Sequence, residues 1–296
     1  MKRYKFLLLF LILVSVSVGT WGKNVTGYIP VSGGARLYYE VMGKGTPVIL
    51  LHGHSLDTRM WDEQYKVFAR HHRVVRFDFR GYGRSSAATE TFQFTHMRDL
   101  LTVMDSLHIQ RAHIVGLSMG GFVAADFLGL HPERIITCTM ASGVMKTYKG
   151  PSEPVDSADY AKREREIAAV KAKGVEQMKR EWMATLMASG GSRRERMRKP
   201  LQRMIDDWSA WQSLHHEVKN IEAHDAERVF RSRKTLVPTL ILYGATDKPR
   251  KPSWMLNYLP NGRQEVLPDC GHMMNMEQPE LFNRTVLKFI DDNDIH

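Results

Sequence analysis

Hydrophobic and polar positions follow the patterns of β-strands at several places in the first half of the chain. Residues 25–31 and 35–41 alternate in the manner of strands around Gly33-Gly34, which predicts a β-hairpin. Continuous apolar runs at 47–51 and 135–141 are typical of strands covered on both faces. These runs indicate that the chain builds a sheet with a central, fully buried part.

Between these strands, apolar residues recur at helical spacing. Residues 57–71 and 94–107 carry apolar side chains three and four positions apart, which predicts two amphipathic helices on either side of a strand at 73–79. A third helix is expected from Met119 to Leu130, where His131-Pro132 ends it. Strands that alternate with helices predict a mostly parallel sheet, with helices on both faces.

The alternation stops after residue 141. From 144 to 234 the pattern is helical throughout and rich in charge, Met and Trp. A strand, a helix, a strand and a helix then follow, at 236–243, 251–259, 263–267 and 279–291. The chain therefore predicts a core domain formed by 23–143 and 235–296, with a helical insertion at 144–234.

The N-terminus resembles an export signal. Basic residues at Met1–Lys5 precede thirteen mostly apolar residues, Phe6–Val18, and small residues follow. Because about 20 residues are needed to cross a bilayer, this segment is short for a membrane span. We expect residues 1–22 to be a signal peptide and the protein to be periplasmic or secreted, without a membrane span after processing. The alternative is an uncleaved N-terminal anchor.

Composition and charge narrow the range of partners. A chain of 296 residues with 43% hydrophobic residues can bury a sizeable core. Its net charge is +10, and more than half of this excess lies in 144–234, where basic and acidic residues are interleaved. No aromatic or groove-reading residues accompany the basic run 193–199, so nucleic acid is not an expected partner. Solvated helix faces are favoured, with attraction to an anionic surface as the alternative.

Cysteines contribute little to the stability of this fold. Only Cys138 and Cys270 occur. If Cys138 lies in one strand and Cys270 follows a strand two positions across the sheet, their backbones are too far apart for a disulfide. Both are expected to be buried small hydrophobic residues.

The candidate chemistry centres on Ser118. The β-branched residues Ile114 and Val115 lead into Gly116-Leu117-Ser118-Met119-Gly120, which passes directly into the predicted helix at Met119. A G-x-S-x-G sequence between a strand and a helix predicts a sharp turn that lifts the serine hydroxyl clear of the sheet. Both flanking positions must lack a side chain for such a turn, and both are glycine.

Together with four other segments, this sequence resembles the α/β-hydrolase family. The resemblance spans about 46 to 289, and it implies an eight-stranded, mostly parallel sheet with a helical cap inserted after strand 6. The four segments are Leu50-Leu51-His52-Gly53-His54, Phe77-Asp78-Phe79-Arg80-Gly81-Tyr82-Gly83-Arg84-Ser85, Gly244-Ala245-Thr246-Asp247 and Gly271-His272.

The resemblance also implies roles for individual residues. Ser118 is expected to be the nucleophile, His272 its base and Asp247 the acid that orients the imidazole. The backbone N–H groups of His54 and Met119 are expected to form the oxyanion hole. The side chain of His54 is unusual at this position, where the family often has an apolar residue, and it can face the pocket.

Other residues compete for some of these roles. Asp225 and Asp269 are alternatives for the acid. Strand 6 of the family sometimes supplies it, but here that strand ends in Ala141-Ser142-Gly143, without a carboxylate. Four further polar side chains are interpreted as holding loops in place, namely His52, Asp78, Arg80 and Glu277.

The expected activity is hydrolysis of an ester or lactone of a small, largely apolar molecule through a covalent acyl-enzyme. Members that open epoxides or remove halogens have Asp as the nucleophile, and Ser118 argues against them. The alternatives are a carbon-carbon bond hydrolase, a cofactor-free haloperoxidase or perhydrolase, an acyltransferase, or a binding protein without activity. The sequence has no metal-ligand, phosphate-loop or dinucleotide motif, so no cofactor is expected. Oligomeric state and glycosylation at Asn24 or Asn283 remain open.

Overall fold

The structure is a computed structural model. It describes residues 24–90, 92, 94–143, 157–216, 230, 235–247 and 254–294. The predicted signal peptide and the two ends of the predicted cap lie outside the described residues, so the domain limits at 143/144 and 234/235 stay predictions.

Eight strands form a single sheet. In spatial order the sheet reads β1-β2-β4-β3-β5-β6-β7-β8. β2 is antiparallel to both of its neighbours, and all pairs from β4 to β8 are parallel. The strands are β1 Val25–Pro30, β2 Arg36–Met42, β3 Pro47–Leu51, β4 Arg73–Phe77, β5 Ala112–Leu117, β6 Ile135–Ala141, β7 Thr239–Gly244 and β8 Gly262–Leu267.

Helices follow most strands and cover both faces of the sheet. In the described ranges they are α1 Asp62–Phe68, α2 His96–Ser106, α3 Met119–Leu130, α4 Ser157–Lys173, α5 Val175–Ala188, α6 Glu195–Asp207, α7 Trp211–Leu214, α8 Met274–Glu277 and α9 Pro279–Asp291. Short 3-10 turns occur at Ser32–Gly34, Thr58–Trp61, Pro132–Arg134 and Trp254–Tyr258. None of these helices is long and apolar enough to span a bilayer.

The core lies in two layers, one on each face of the sheet. Successive residues of β3 point to opposite sides: Ile49 packs in the layer with α2 and α3, and Leu50 packs in the layer with α1 and α9. Both side chains have no exposed surface. This double burial explains why the central strands are continuously apolar, and it confirms the predicted α/β class.

Residues 157–216, which contain helices α4 to α7, are called the cap below, and they lie in the chain between β6 and β7. Most of the buried apolar residues of the cap pack in the same layer as Leu56 and Met273, which belong to loops at the carboxyl ends of strands. The buried cap residues in this layer are Met183, Leu186, Met187, Met197, Leu201, Met204 and Ile205. The expected insertion after strand 6 of the sheet is therefore confirmed.

Some boundaries differ from the sequence pattern. The helix expected at 57–71 is a 3-10 turn followed by α1, and the Asp57 side chain caps the first turn by accepting a hydrogen bond from the Arg59 N–H (2.9 Å). In place of a helix at 251–259, the described part has only a 3-10 turn, Trp254–Tyr258. Pro260 stands just beyond this turn and disfavours helical backbone in the residue before it.

The cysteines and one glycosylation sequon also have clear positions. Cys138 in β6 and Cys270 after β8 are both buried and free, with β7 between their strands, as predicted. Asn283 is only 7% exposed. Its side-chain oxygen accepts a hydrogen bond from the Gln64 amide (2.8 Å), and its side-chain nitrogen donates one to the Glu63 carbonyl (2.9 Å). A glycan at Asn283 is therefore incompatible with this fold, because its side-chain amide is already buried and hydrogen-bonded.

Candidate active site

Ser118 lies at a strained turn between β5 and α3. Its φ is 55° and its ψ −115°, a conformation that residues with a side chain rarely adopt. Two backbone hydrogen bonds hold it there: its N–H donates to the Ala141 carbonyl (2.8 Å), and its carbonyl accepts from the Phe122 N–H (3.1 Å). The turn that the sequence predicted is present, and neighbouring elements fix the backbone of Ser118.

Close backbone contacts explain the two glycines that flank this turn. A Cβ on Gly116 would lie 2.1 Å from the Gly120 carbonyl oxygen. A Cβ on Gly120 would lie 2.1 Å from the carbonyl oxygen of Leu51, the last residue of β3. Neither contact is possible for two heavy atoms, so α3 can approach the sheet only when both residues are glycine.

Gly120→Ala should therefore destabilise the fold by at least about 3 kcal/mol, because the clash involves backbone atoms that cannot rotate away. Gly34→Ala is the matched control. Gly34 has φ 73°, but a Cβ at this residue would meet no atom within 4 Å, so only a backbone cost of roughly 1–2 kcal/mol is expected. Urea denaturation measures both. Equal stability losses in the two variants would show that the clash with the Leu51 carbonyl does not cause the stability loss in Gly120→Ala.

His272 and Asp247 form a hydrogen-bonded pair at the ends of β8 and β7. Nδ1 of His272 lies 3.1 Å from Oδ2 of Asp247. The two loops are joined directly, since the Thr246 N–H donates to the Cys270 carbonyl (3.0 Å). Gly244 permits this approach, because a Cβ there would lie 2.3 Å from the Gly271 carbonyl oxygen. The residue pairs Gly244/Asp247 and Gly271/His272 are thus parts of one packed unit.

This pairing assigns a tautomer to His272. With Nδ1–H donating to the carboxylate, Nε2 carries the lone pair that a base needs. Within the described part of the chain, the Ser118 hydroxyl makes no hydrogen bond to His272. Catalytic hydrogen bonds of this kind often tighten only when substrate binds. The structure therefore joins two members of the predicted triad directly and leaves the third as a prediction.

In the described chain Asp269 makes no hydrogen bond to His272. Asp269 accepts hydrogen bonds from the backbone N–H and the hydroxyl of Ser192, which lies in the segment between α5 and α6. Asp225 lies outside the described residues. Of the three carboxylates considered, Asp247 is the one that the structure pairs with the imidazole.

His52 orients the peptide that carries the expected oxyanion donor. Its Nε2 accepts a hydrogen bond from the Phe79 N–H (2.9 Å), so its Nδ1–H donates to the Gly53 carbonyl (2.8 Å). Because the Gly53–His54 peptide is trans, the His54 N–H points away from His52. A Cβ on Gly53 would be 3.5 Å from the Cβ of Ser118, so this peptide lies beside the candidate nucleophile.

The second expected donor belongs to Met119. It is the first residue of α3, and the N–H groups of the first turn have no carbonyl partner within the helix. A helix N-terminus also favours negative charge. Both predicted oxyanion positions therefore have a physical basis, although their role stays a prediction.

Comparison with known proteins places this architecture in a family. A family model described as the alpha/beta hydrolase fold matches residues 46–279. The chain belongs to the α/β-hydrolase family. It is accordingly an enzyme of the hydrolase type. The resemblance seen in the sequence is confirmed over most of its length.

Individual α/β-hydrolases show the breadth of the family. A 2-hydroxy-6-oxo-6-(2'-aminophenyl)hexa-2,4-dienoic acid hydrolase of Metapseudomonas resinovorans is 26% identical over 88% of this chain and 89% of its own length. A thermophilic esterase from Thermogutta terrifontis superposes with a TM-score of 0.70 and 25% identity, over 92% of this chain and 100% of that one. The enol-lactonase from Burkholderia xenovorans LB400 shares the fold, with a TM-score of 0.67 and 22% identity over 90% and 100% of the two chains.

Several buried charges hold the loops of this α/β-hydrolase in place, as interpreted from the sequence. Asp78 accepts hydrogen bonds from the N–H groups of Thr58 (2.7 Å) and Arg84 (2.8 Å). Arg80 forms a buried ion pair with Asp99 at 2.8 Å. The bond to Thr58 ties the loop after β4 to the end of the loop after β3, which carries the expected oxyanion donor, and the ion pair ties it to α2.

Glu277 connects the His272 loop to the cap. Its carboxylate accepts from the Gly271 N–H (2.9 Å) and from the Gly191 N–H (2.5 Å), in the segment between α5 and α6. Burial raises the pKa of this carboxyl, and the two N–H groups partly offset the rise. No local pattern pointed to Gly191, because it becomes a partner of Glu277 only when the cap folds back onto the core.

Further cap residues contact the loops of the site. The Ser189 carbonyl accepts from the Thr246 hydroxyl (2.6 Å), next to Asp247. The Gln212 amide donates to the Gly81 carbonyl (3.0 Å). Sequence reasoning missed Ser189 and Gln212, since polar residues in a charged helical segment carry no pattern that separates them from surface residues.

A cavity of about 440 Å³ lies between the cap and the loop after β3. Ser55 and Trp208 line it together with carboxylates that are paired to Arg59 and Arg84. Ser118 and His272 do not line it, so this cavity does not contain the candidate catalytic side chains. In the described residues no cluster of three or more His, Cys, Asp or Glu side chains is arranged to hold a metal ion.

Buried histidines should make the fold sensitive to mild acid. Burial lowers the pKa of His52 and His113, that of His54 to about 4 and that of His96 to about 3. A lowered pKa means that the unfolded chain binds protons first as the pH falls below about 6.5. Stability is therefore complete above that pH and should fall between pH 6.5 and 4.5, by roughly 1 kcal/mol per pH unit for each group.

His96→Phe tests this directly. Neither ring nitrogen of His96 has a hydrogen-bond partner in the described chain, and the ring packs against Phe79 and Phe94. The variant should be at least as stable as the wild type at neutral pH and should lose about 2 kcal/mol less between pH 6.5 and 4.5. Denaturant unfolding at several pH values measures this. An unchanged pH dependence of the unfolding free energy would contradict the lowered pKa of His96.

Proposed function

We propose that this α/β-hydrolase cleaves an ester or lactone of a small, largely apolar molecule through a covalent acyl-enzyme. The observation that carries the proposal is the placement of Ser118 on a strained turn beside Gly53, at the same sheet edge as the His272–Asp247 pair. A hydroxyl at such a turn, near a base that a carboxylate orients, is the arrangement that nucleophilic catalysis requires.

In the proposed reaction, Ser118 Oγ attacks the carbonyl carbon while Nε2 of His272 takes the hydroxyl proton. Asp247 stabilises the imidazolium that forms. The backbone N–H groups of His54 and Met119 stabilise the oxyanion of the tetrahedral intermediate. His272 then gives the proton to the leaving alkoxide, and the acyl group stays on Ser118. Water, activated by the same imidazole, releases the acid and restores the serine.

Several observations support an ester or lactone. The side chain of His54, whose backbone N–H is the expected oxyanion donor, adjoins aromatic side chains of the cap and core, which suit an apolar substrate. The esterase from Thermogutta terrifontis has the same fold and is 25% identical. Hydrolysis of a carbon-carbon bond is the second candidate, because the Metapseudomonas resinovorans relative is named for the hydrolysis of a dienoic acid.

The test combines an active-site label with a substrate panel. A fluorophosphonate probe should label the wild type at Ser118 and should fail to label His272→Ala, since only an activated serine reacts. The panel holds p-nitrophenyl esters of increasing acyl length, simple lactones and a dienoic ring-cleavage product. Highest kcat/KM for an ester or lactone supports the proposal. Highest kcat/KM for the dienoic acid would favour the second candidate, and no labelling would reject both.

Export remains a separate proposal. It rests on the basic and then apolar N-terminal sequence, which lies outside the described residues. Expression of the full chain in a bacterial host, followed by N-terminal sequencing of the protein in the periplasm or medium, tests it. A cytoplasmic chain that retains Met1–Lys5 would contradict it.

A further inference from the structure

The imidazole of His54 is surrounded by aromatic rings from the core and the cap. Its centroid lies 5.8 Å from that of Tyr82, 6.2 Å from Trp182 in α5 and 5.0 Å from Trp208 after α6. The Trp182 indole N–H also donates to the hydroxyl of Ser55, the next residue in the loop (2.7 Å). The cap therefore packs directly around the residue whose backbone N–H is the expected oxyanion donor.

This imidazole is neutral and held in one orientation. Burial, with a smaller contribution from His52 and Arg163, lowers the pKa of His54 to about 4. The Tyr82 hydroxyl lies 2.8 Å from Nδ1 and fixes the ring. His54 nevertheless keeps some exposed surface, and no side chain or backbone group in the described ranges hydrogen-bonds its Nε2. Nε2 of His54 is therefore a polar atom, among aromatic rings, that is available to a ligand.

The distance between Nε2 of His54 and the reacting carbonyl determines which group of the substrate Nε2 can contact. Nε2 of a histidine lies about 5 Å from its own backbone nitrogen. If the carbonyl oxygen of the substrate binds that backbone N–H, a group about three bonds from the carbonyl carbon comes within hydrogen-bond distance of Nε2. A β-substituent of the acyl chain meets this condition.

The surroundings favour a neutral group over a charged one. A carboxylate would lose its hydration among aromatic rings, and a neutral imidazole cannot compensate for that loss. An ammonium would be repelled by the positive charge of Arg163, which also disfavours protonation of His54. Arg163 is the nearby cation, and its guanidinium already donates to the carbonyls of Gln212 and His215. A hydroxyl, oxo or amide group needs only one hydrogen bond, which Nε2 can supply.

We propose that His54 is a substrate-binding residue that selects esters or lactones with a neutral hydrogen-bonding group about three bonds from the reacting carbonyl. Tyr82 positions the imidazole, and Trp182 and Trp208 contact the apolar remainder of the acyl chain. This inference rests on the proposed function and narrows its substrate class.

Two esters of equal chain length test the proposal. The full chain is assayed with p-nitrophenyl butanoate and p-nitrophenyl β-hydroxybutanoate, and the ratio of the two kcat/KM values is taken for each variant. The wild-type ratio should favour the hydroxyl ester by about 10- to 100-fold, as expected when a site offers a hydrogen-bonding partner to one of two substrates. In His54→Phe the ratio should fall at least about 10-fold, whatever happens to the separate rates.

Two further variants separate hydrogen bonding from shape. His54→Gln keeps a neutral donor and acceptor and should retain a clear preference for the hydroxyl ester. Trp208→Phe keeps an aromatic ring beside His54, so both kcat/KM values should change together and their ratio should persist. A merely structural role of His54 predicts the opposite, namely that both esters lose activity equally in His54→Phe.

The outcomes distinguish this proposal from the one on which it rests. If fluorophosphonate labels Ser118 but the wild type does not prefer the β-hydroxybutanoate ester, His54 is not a selecting residue and the serine mechanism stands. A ratio that is unchanged in His54→Phe has the same meaning. If Ser118 is not labelled and neither ester is hydrolysed, both proposals are overturned.

Discussion

Replacement of Ser118 by alanine should reduce kcat for a short-chain p-nitrophenyl ester by at least about 10⁴-fold, the size of effect seen when a serine nucleophile is removed. The reason is that no acyl-enzyme can form without the hydroxyl. Stability should change little, since the side chain makes no hydrogen bond in the described structure and alanine meets the same backbone cost at φ 55°. Initial rates with active-site titration measure the loss.

Ser142→Ala is a matched control for this variant. Ser142 also has positive φ, 48°, at the end of the neighbouring strand β6, and its buried hydroxyl has no partner in the described chain. It should keep most of the wild-type rate. If Ser118→Ala retains even one percent of the wild-type rate in a preparation free of contaminating esterase, the nucleophile is another residue.

Asp247→Asn should lower kcat by about 10³- to 10⁴-fold, through the tautomer of His272. An asparagine amide at this position donates to Nδ1, so the imidazole carries its proton on Nε2. Nε2 then has no lone pair with which to accept the proton of Ser118. The loss should be in kcat more than in KM, because the pair acts in the chemical step and does not bind substrate.

The control is Asp269→Asn. The Asp269 carboxylate is close to His272 in sequence, but it is hydrogen-bonded to Ser192 of the cap. The substitution should affect stability modestly and leave the rate within about threefold of wild type, since Asp269 makes no hydrogen bond to His272 in the described chain. The reverse result, with Asp269→Asn inactive and Asp247→Asn active, would assign the acid to Asp269 and would require a different arrangement of the loop before His272.

Much of the fold could be predicted from sequence, since its signals are local. β3 is apolar at every position because both of its faces are buried, and Leu50 and Ile49 show this on opposite sides of the sheet. The turn at Ser118 was predictable because Gly116 and Gly120 each meet a backbone carbonyl at a distance that excludes any side chain. Such steric requirements leave only glycine, so they are visible in the sequence.

Other features of the site could not be predicted. The helix expected over 57–71 begins as a 3-10 turn, Thr58–Trp61, although its apolar spacing is that of an α-helix. The contact of Glu277 with Gly191 and the aromatic surroundings of His54 join residues that are far apart in the chain. Their partners lie in the cap, whose helical pattern is the same whether a residue faces solvent or the site.

The sequence by itself determined the class of fold, the order of its elements and the two glycines that the turn at Ser118 requires. These follow from strand and helix periodicity and from sterics, both of which act within a few residues, whereas the roles expected of Ser118, His272 and Asp247 are implied by the resemblance to the family. Only the tertiary structure decided that His272 pairs with Asp247 and not with Asp269, and that cap tryptophans surround His54. Such choices depend on how separate segments pack against each other, and no local pattern encodes that packing.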